Sequence, residues 1–302
     1  MLTVLDLLNK TTDYFSKKKI ESPRLNAELL LASVLECKRL DLYLSFDKPL
    51  PEKDIEVYRE LIKRRATFEP LQYIIGNVDF FGIQLKVNKH VLIPRPETEI
   101  LVESILGEID KSKLYRILDI GTGSGNIAIS LALNIPNVEV IAIDISDEAI
   151  NVAKENAEMN SVSEKITFLN SDILAFEDSA LSRISDSNGS KIKYDIVVSN
   201  PPYVRFEEYN ELQKEIVAFE PQFAVTDFGD GYKFYRTISS LADKIIAENG
   251  KVFFEIGKDQ HIEIIEILKE NSIKNISVIK DYSGISRIIK GERIASINST
   301  CN

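Results

Sequence analysis

From Tyr115 onward the chain alternates short apolar runs with helical stretches, and this alternation limits what it can fold into more than any other feature. The runs are RILDI, VEVIAIDI, KITFLNSD, YDIVVSN and GKVFFEI. Each is nearly continuous in apolar residues, as a strand covered on both faces must be. Such strands separated by helices predict an α/β fold built on a doubly wound, mostly parallel sheet. Near the end, ISVIKDYSGISRIIKGE predicts two further strands joined by a turn at Ser283-Gly284. Residues 177–193, EDSALSRISDSNGSKIK, are polar and predict a surface insertion without visible chemistry.

The region before this alternation reads differently. Residues 1–72 predict a small helical bundle. In ESPRLNAELLLASVLE, Ser22 is the expected N-cap, Pro23 the first helical residue, and Leu25, Leu29, Ala32 and Leu35 the inner face. PEKDIEVYRELIKRRAT begins with Glu52 and Asp54 and ends with Lys63, Arg64 and Arg65, the polarity a helix dipole favours. Its inner face is expected at Ile55, Tyr58, Leu61 and Ile62. Residues 73–93 alternate polar with aromatic and β-branched residues around Gly76 and Gly82, which predicts a linking hairpin. IPRPETE follows, where Pro94 and Pro96 argue against regular structure and a helix is expected to open at Thr98. The expected division is a bundle (1–72), a linker (73–93) and a larger α/β domain (94–302).

Composition narrows the function. Lys+Arg number 37 and Asp+Glu 47, a net charge of −10 in 302 residues, so there is no global electrostatic case for gripping nucleic acid. Cys37 and Cys301 lie far apart and His90 and His261 are the sole histidines. A metal cluster or a Ser-His-Asp mechanism has little material to work with. The N-terminus carries an acid within its apolar run and no small-residue cleavage site, and no uninterrupted apolar segment could span a bilayer. A cytoplasmic protein with no metal and no membrane partner is the expectation.

LDIGTGSGNIAISLA places a strand, a glycine-rich turn and a helix in direct succession. Gly121, Gly123 and Gly125 would let the backbone approach a ligand at the head of the helix. The spacing G-x-G-x-G differs from the dinucleotide fingerprint G-x-G-x-x-G. Asp144 ends the next strand about 20 residues on, placed to accept hydrogen bonds from a ribose diol. Asp172 ends the strand after that, where an adenine amine could be read with Ile173 covering the ring. Asp119, just before the turn, would sit near the positive end of the cofactor. Acids disfavour a pyrophosphate and favour a cationic ligand. The arrangement resembles the class I methyltransferases, whose cofactor S-adenosylmethionine carries an ammonium and a sulfonium. An NAD-dependent oxidoreductase would need its third glycine elsewhere.

The fourth apolar run ends in Asn200-Pro201-Pro202-Tyr203, on the rim where ligands of open α/β sheets bind. A planar amine is a poor nucleophile because its lone pair is delocalised. Acceptors that hold its two N–H groups aim the lone pair and stabilise growing positive charge. The Asn200 side-chain oxygen and the Pro201 carbonyl are candidate acceptors. Consecutive prolines fix the backbone and remove competing donors, and Tyr203 can pack on the planar group. The motif suits N6-adenine of DNA, exocyclic amines of RNA and the side-chain amide of glutamine alike.

The set VDFFGIQLKVNKHVLIPRPETEILVE, LDIGTGSGNIAISLA, NPPYV, FEPQFAV and KDYSGISRIIKGE is similar to the peptide chain release factor glutamine methyltransferases (the HemK/PrmC family), over nearly the whole chain. The resemblance implies a Rossmann-like methyltransferase domain and methylation of N5 of the glutamine in the Gly-Gly-Gln motif of class I release factors. It implies that Gly121, Thr122, Gly123, Ser124 and Gly125, with Asp144 and Ile173, line the cofactor site, and that Asn200 to Tyr203 hold the glutamine. The N-terminal bundle is then expected to recognise the protein substrate. A nucleic-acid amine methyltransferase and a non-catalytic cofactor-binding module are the competing readings. Arg95 and Glu97 are expected either to order the loop over the site or to serve as a salt-bridged connector. Glu220-Pro221 is expected to be a turn walling the cleft.

Overall fold

The N-terminal helices are α1 (Val4–Lys17), α2 (Pro23–Val34), α3 (Glu52–Ala66) and α4 (Leu71–Ile75) in the computed structural model, which describes residues 2–185 and 189–294. Cys301 and residues 186–188 of the polar insertion lie outside the described residues. Thr3 caps α1 reciprocally with Asp6. Helix α2 starts on Pro23 as expected, but Ser22 is not a side-chain cap; it sits at φ +47° with no capping bond. Asn26 instead turns back to the carbonyls of Glu21 and Ser22. The buried face of α2 is Ala27, Leu30, Leu31 and Ala32, while Leu25 is exposed. On α3, Ile55 and Tyr58 are buried as expected.

These helices form one unit with Asn77 as its last consecutive residue, joined by 213–219 from much later in the chain, which includes α8 (Lys214–Phe219). Arg65 explains the joining. It is 3% exposed and donates to Asn26 Oδ1 at 2.6 Å, the Glu69 carbonyl at 3.0 Å and Glu215 at 2.5 Å. A buried guanidinium needs such partners.

The second unit comprises 78–212 and 220 onward. A hairpin of β1 (Asn77–Phe80) and β2 (Ile83–Lys86) turns at Gly82, shorter than the 73–93 span since α4 takes its first residues. Helix α5 (Pro96–Leu106) opens two residues before Thr98, because Pro96 occupies the first helical position, where no N–H is needed. There follow β3 (Tyr115–Ile120), α6 (Asn126–Asn134), β4 (Val138–Asp144), α7 (Asp147–Met159), β5 (Ile166–Asn170) and β6 (Tyr194–Ser199). The chain ends with α9 (Lys233–Ser240), α10 (Ala242–Ile245), β7 (Ile246–Glu255), α11 (His261–Glu270), β8 (Ile273–Lys280) and β9 (Ser286–Arg293).

The sheet order is β5-β4-β3-β6-β7-β9-β8. Strands β3 to β7 pair in parallel, and β9 runs antiparallel between β7 and β8. This is the mostly parallel, Rossmann-like sheet that the alternation predicts. Successive residues serve opposite faces. Ile117, Val198 and Phe253 belong to one apolar cluster, while Leu118, Val197 and Phe254 belong to the other. The strand order reverses between β3 and β6, and Ile120 there lies opposite Ser199. Gly121 and Asn200 therefore leave the sheet side by side, at the switch point where such sheets bind ligands.

Candidate active site

The glycine turn is built by its neighbours on β4. The N–H groups of Gly121 and Thr122 both donate to the Ile143 carbonyl at 2.9 Å, and Gly123 donates to Asp144 Oδ2 at 2.9 Å. Gly121 and Gly123 have φ of +75° and +54°. A Cβ at either would meet no protein atom within 4 Å, so the turn frames open space that an L side chain would occupy. Gly125 serves packing instead: at φ +82°, its Cβ would lie 3.0 Å from Ile129 Cδ1.

Above this turn lies a cavity lined at one end by Asp144, Ser171, Asp172 and Ile173, with Ile120, Ile143 and Ile145 as apolar wall. Asp144 is 9% exposed, and burial raises its carboxyl above the ordinary value. Its second oxygen takes the Ser146 N–H at 3.0 Å. The Ile145 N–H also bonds this carboxylate, and of its roughly four lone-pair sites about one is left for a ligand. Ser171 Oγ is buried without a hydrogen-bond partner. Asp172 is the N-cap of a short 3-10 turn rather than a strand end, accepting the Leu174 N–H at 2.8 Å. Open space over a glycine turn, an acid with spare acceptor capacity and apolar walls fit a nucleoside-bearing cation.

The structure does not bring every expected residue into the cavity lining. Asp119, Thr122, Ser124 and Gly125 are not part of it. Asp119 is fully buried and accepts the Thr122 hydroxyl at 2.7 Å, while its Oδ1 has no partner. Burial, reinforced by the charge of Asp144, pushes its carboxyl up to about 7 against the pull of that hydroxyl. These residues hold the turn from below.

At the other end of the cavity stand Asn200, Pro201 and Pro202. The Asn200 Nδ2 donates to Thr98 Oγ1 at 3.2 Å, and the Thr98 hydroxyl donates to Glu255 Oε2 at 2.6 Å. Tyr203 lies outside the lining. It packs against the apolar cluster below, and its carbonyl accepts Gln260 Nε2 at 3.0 Å. Burial raises its hydroxyl well above the ordinary tyrosine range.

Several residues that motif reading missed complete the site. His90, Val91 and Leu92 line the cavity. So do Phe223 and Ala224 of FEPQFAV, whereas Glu220 and Pro221, the expected wall, are not part of the lining. Glu220 is 6% exposed, accepting the Ile93 N–H at 3.2 Å and Arg95 at 2.6 Å. Arg95 is thus a salt-bridged connector. Phe228 also lines the cavity, at φ +58°, in a loop held by Asp227 through the N–H groups of Gly229, Gly231 and Lys233. Asn156 is fully buried and ties the Ser124 carbonyl to both backbone groups of Lys86. Among the described residues no group of three His, Cys, Asp or Glu could hold a metal, and no helix is long and apolar enough to cross a membrane.

Residues 111–283 match a family model described as a methyltransferase domain. The catalytic domain of hMettl16 superposes with a TM-score of 0.55 at 18% identity, covering 78% of this chain and 83% of that one, a likeness of fold alone. Fold, switch-point cavity and family model together define a Rossmann-like methyltransferase. Residues 6–76 match the PrmC N-terminal domain. The release factor glutamine methyltransferase of Flavobacterium psychrophilum is 41% identical over 280 residues, spanning 91% of this chain and 93% of that protein. Its namesake from Chlorobaculum tepidum is 38% identical over 290 residues, spanning 94% and 95%. The chain belongs to the release factor glutamine methyltransferase family.

Proposed function

We propose that this enzyme methylates the side-chain amide nitrogen of the glutamine in the Gly-Gly-Gln motif of class I release factors, in the cytoplasm, using S-adenosylmethionine. The observation that carries the reading is the adjacency of Asn200 to the glycine turn at the switch point, in a chain of this family. Bound S-adenosylmethionine supplies an electrophilic methyl group on a sulfonium. The Gly121 and Gly123 backbone would border it, Asp144 would accept from the ribose hydroxyls, and Asp172 with Ile173 would receive the adenine.

The remaining chemistry belongs to this chain's residues. Asn200 Oδ1 accepts one N–H of the substrate amide and the Pro201 carbonyl accepts the other. With both held, the nitrogen lone pair is turned out of conjugation, and the charge that grows on nitrogen faces two fixed dipoles. Pro201 and Pro202 carry no N–H that could compete for those acceptors. Phe223 and Phe228 add aromatic surface to the cavity wall. Catalysis is by positioning and electrostatics, and the nitrogen, cationic once methylated, gives up one of its two protons to solvent to leave the neutral N-methyl amide. The helical residues 1–72 serve to recognise the body of the release factor.

The test is mass spectrometry of release factor, DNA and RNA after incubation with the protein and isotopically labelled cofactor. Label on the Gly-Gly-Gln glutamine is expected. Label on nucleic acid, or on no substrate with cofactor bound, overturns the reading.

A further inference from the structure

Asparagine presents an acceptor on one side and a donor on the other, and a substrate amide that must be held through its own N–H groups can use only the acceptor. Resting on the proposed role of Asn200, the arrangement of three side chains decides which side faces the cavity. Thr98 comes from the first turn of α5, Glu255 is the last residue of β7, and Asn200 follows β6 directly. Thr98 and Glu255 are 1% and 2% exposed. A threonine hydroxyl has one proton. Thr98 gives it to Glu255 at 2.6 Å, so its oxygen can only accept, and it accepts Asn200 Nδ2 at 3.2 Å. The Asn200 amide is thereby locked with nitrogen inward and Oδ1 left for the cavity.

We propose that Thr98 and Glu255 are positioning residues that fix the Asn200 amide in its acceptor-outward orientation. The polarity of the chain starts at Glu255. Its carboxylate form only accepts, which forces the Thr98 proton toward it and away from Asn200. Its protonated form can donate to Thr98, freeing the hydroxyl to donate to Asn200 Oδ1. The flipped amide would then turn N–H donors toward a substrate nitrogen that also carries N–H groups.

The surroundings set where this changeover falls. Burial pushes Glu255 up to about 7, while the Thr98 and Asn200 hydrogen bonds oppose it. The carboxylate of Glu97 on α5 raises it further, and Arg287 of β9, paired with Asp281, lowers it. Tyr203 and Tyr235 pack nearby, and the Tyr235 hydroxyl donates to the Glu255 carbonyl at 2.8 Å. Both tyrosines are raised far above neutrality and stay uncharged. Turnover should therefore rise with pH through about 7 as Glu255 loses its proton.

The experiment measures single-turnover rate, cofactor affinity and melting temperature for Thr98→Val, Thr98→Ser, Glu255→Gln and Asn200→Ala on full-length protein with release factor. Asn200→Ala, which removes the acceptor itself, should slow the reaction by about 10²–10³. Thr98→Val should bind cofactor as the wild type does and turn over about tenfold or more slowly, with the loss in kcat rather than KM. Thr98→Ser keeps the hydroxyl and should restore most of the rate. Glu255→Gln should abolish the rise in rate between pH 6 and 8. Wild-type turnover in Thr98→Val, failure of serine to rescue, or an unchanged pH profile in Glu255→Gln overturns the inference. If Thr98→Val does not fold, the serine variant and the pH profile decide. If Asn200→Ala itself turns over normally, the fault lies with the proposed role of Asn200. If Asn200→Ala is slow and Thr98→Val is not, it lies with this inference alone.

Discussion

Asp144 Oδ2 accepts the Gly123 N–H at 2.9 Å, so the acid at the end of β4 holds the glycine turn as well as facing the cavity. Asp144→Ala should therefore weaken cofactor binding by more than a ribose contact in isolation would. Loss of a charge-assisted hydrogen bond costs roughly 1.5–3 kcal/mol, or about 10–150-fold in affinity. Asp144→Asn can still accept from Gly123 and should recover part of the loss. Calorimetric titration of both variants with S-adenosylmethionine checks this, and equal affinity for all three proteins would remove Asp144 from the site.

The three glycines of the turn should respond to alanine in different ways. At Gly125 both the positive φ and the contact with Ile129 oppose a Cβ. At Gly121 the φ of +75° opposes it but the space is open. Gly121→Ala should cost stability by about 1–2 kcal/mol, the strain of a left-handed residue, and weaken cofactor binding because the methyl enters the cavity. Gly125→Ala should lose more stability. Thermal melting and cofactor titration separate the two, and a Gly125→Ala protein as stable as Gly121→Ala would contradict the packing role.

What could be read in advance follows from where information sits along the chain. Gly121, Asp144 and Asn200 each end or follow an apolar strand directly, so parallel pairing of those strands was enough to gather them on one rim. Thr98 and Glu255 are separated by 157 residues and meet through tertiary packing alone. No local pattern marks them. On α2 the expected face holds at Ala32 and fails at Leu25, which is exposed, because Leu29, Leu30 and Leu31 are consecutive and periodicity cannot choose among apolar residues that surround a helix. Adjacency to the prolines is the sequence's argument for setting Tyr203 against the substrate. In the fold its ring turns down onto the core. The return of 213–219 to the helical unit rests on a buried Arg65, whose place in the sequence is equally that of a charge at a helix C-terminus.

Arg95 and Glu220 form a pair whose acid is buried and whose base is about one-third exposed. Removing Arg95 leaves a buried carboxylate without its cationic partner, still accepting the Ile93 N–H. Arg95→Ala should destabilise the protein by roughly 1.5–3 kcal/mol. Glu220→Gln keeps the acceptor for Ile93 and avoids the unpaired charge, so introducing it into Arg95→Ala should restore part of the loss. Chemical denaturation of the single and double variants measures the coupling. Strict additivity would mean that the two residues act independently.

Asp119 should make the protein less stable as pH rises from acid toward neutrality. Its carboxyl is raised from 3.8 to about 7, chiefly by burial, so the folded chain keeps a proton that the unfolded chain releases. Below the unfolded value both states are protonated, and the favourable contribution of the neutral buried acid is fully present. As pH climbs from about 4 the unfolded state gains by ionising, and stability falls until the folded group also ionises near 7. Beyond that the loss is complete, on the order of 4 kcal/mol for a shift of this size. Glu255 acts in the same direction, while Glu28, Glu108 and Asp281, whose values are lowered, act oppositely. The raw pH profile therefore mixes several groups, and the informative quantity is a difference. Asp119→Asn stays neutral and can still accept from the Thr122 hydroxyl. Its stability relative to wild type should improve steadily between pH 4 and 7 and then level off. Denaturation of both proteins at several pH values checks this. A difference that stays constant from pH 4 to 8 would mean that the folded and unfolded carboxyls titrate alike, and that burial beneath the glycine turn leaves Asp119 unperturbed.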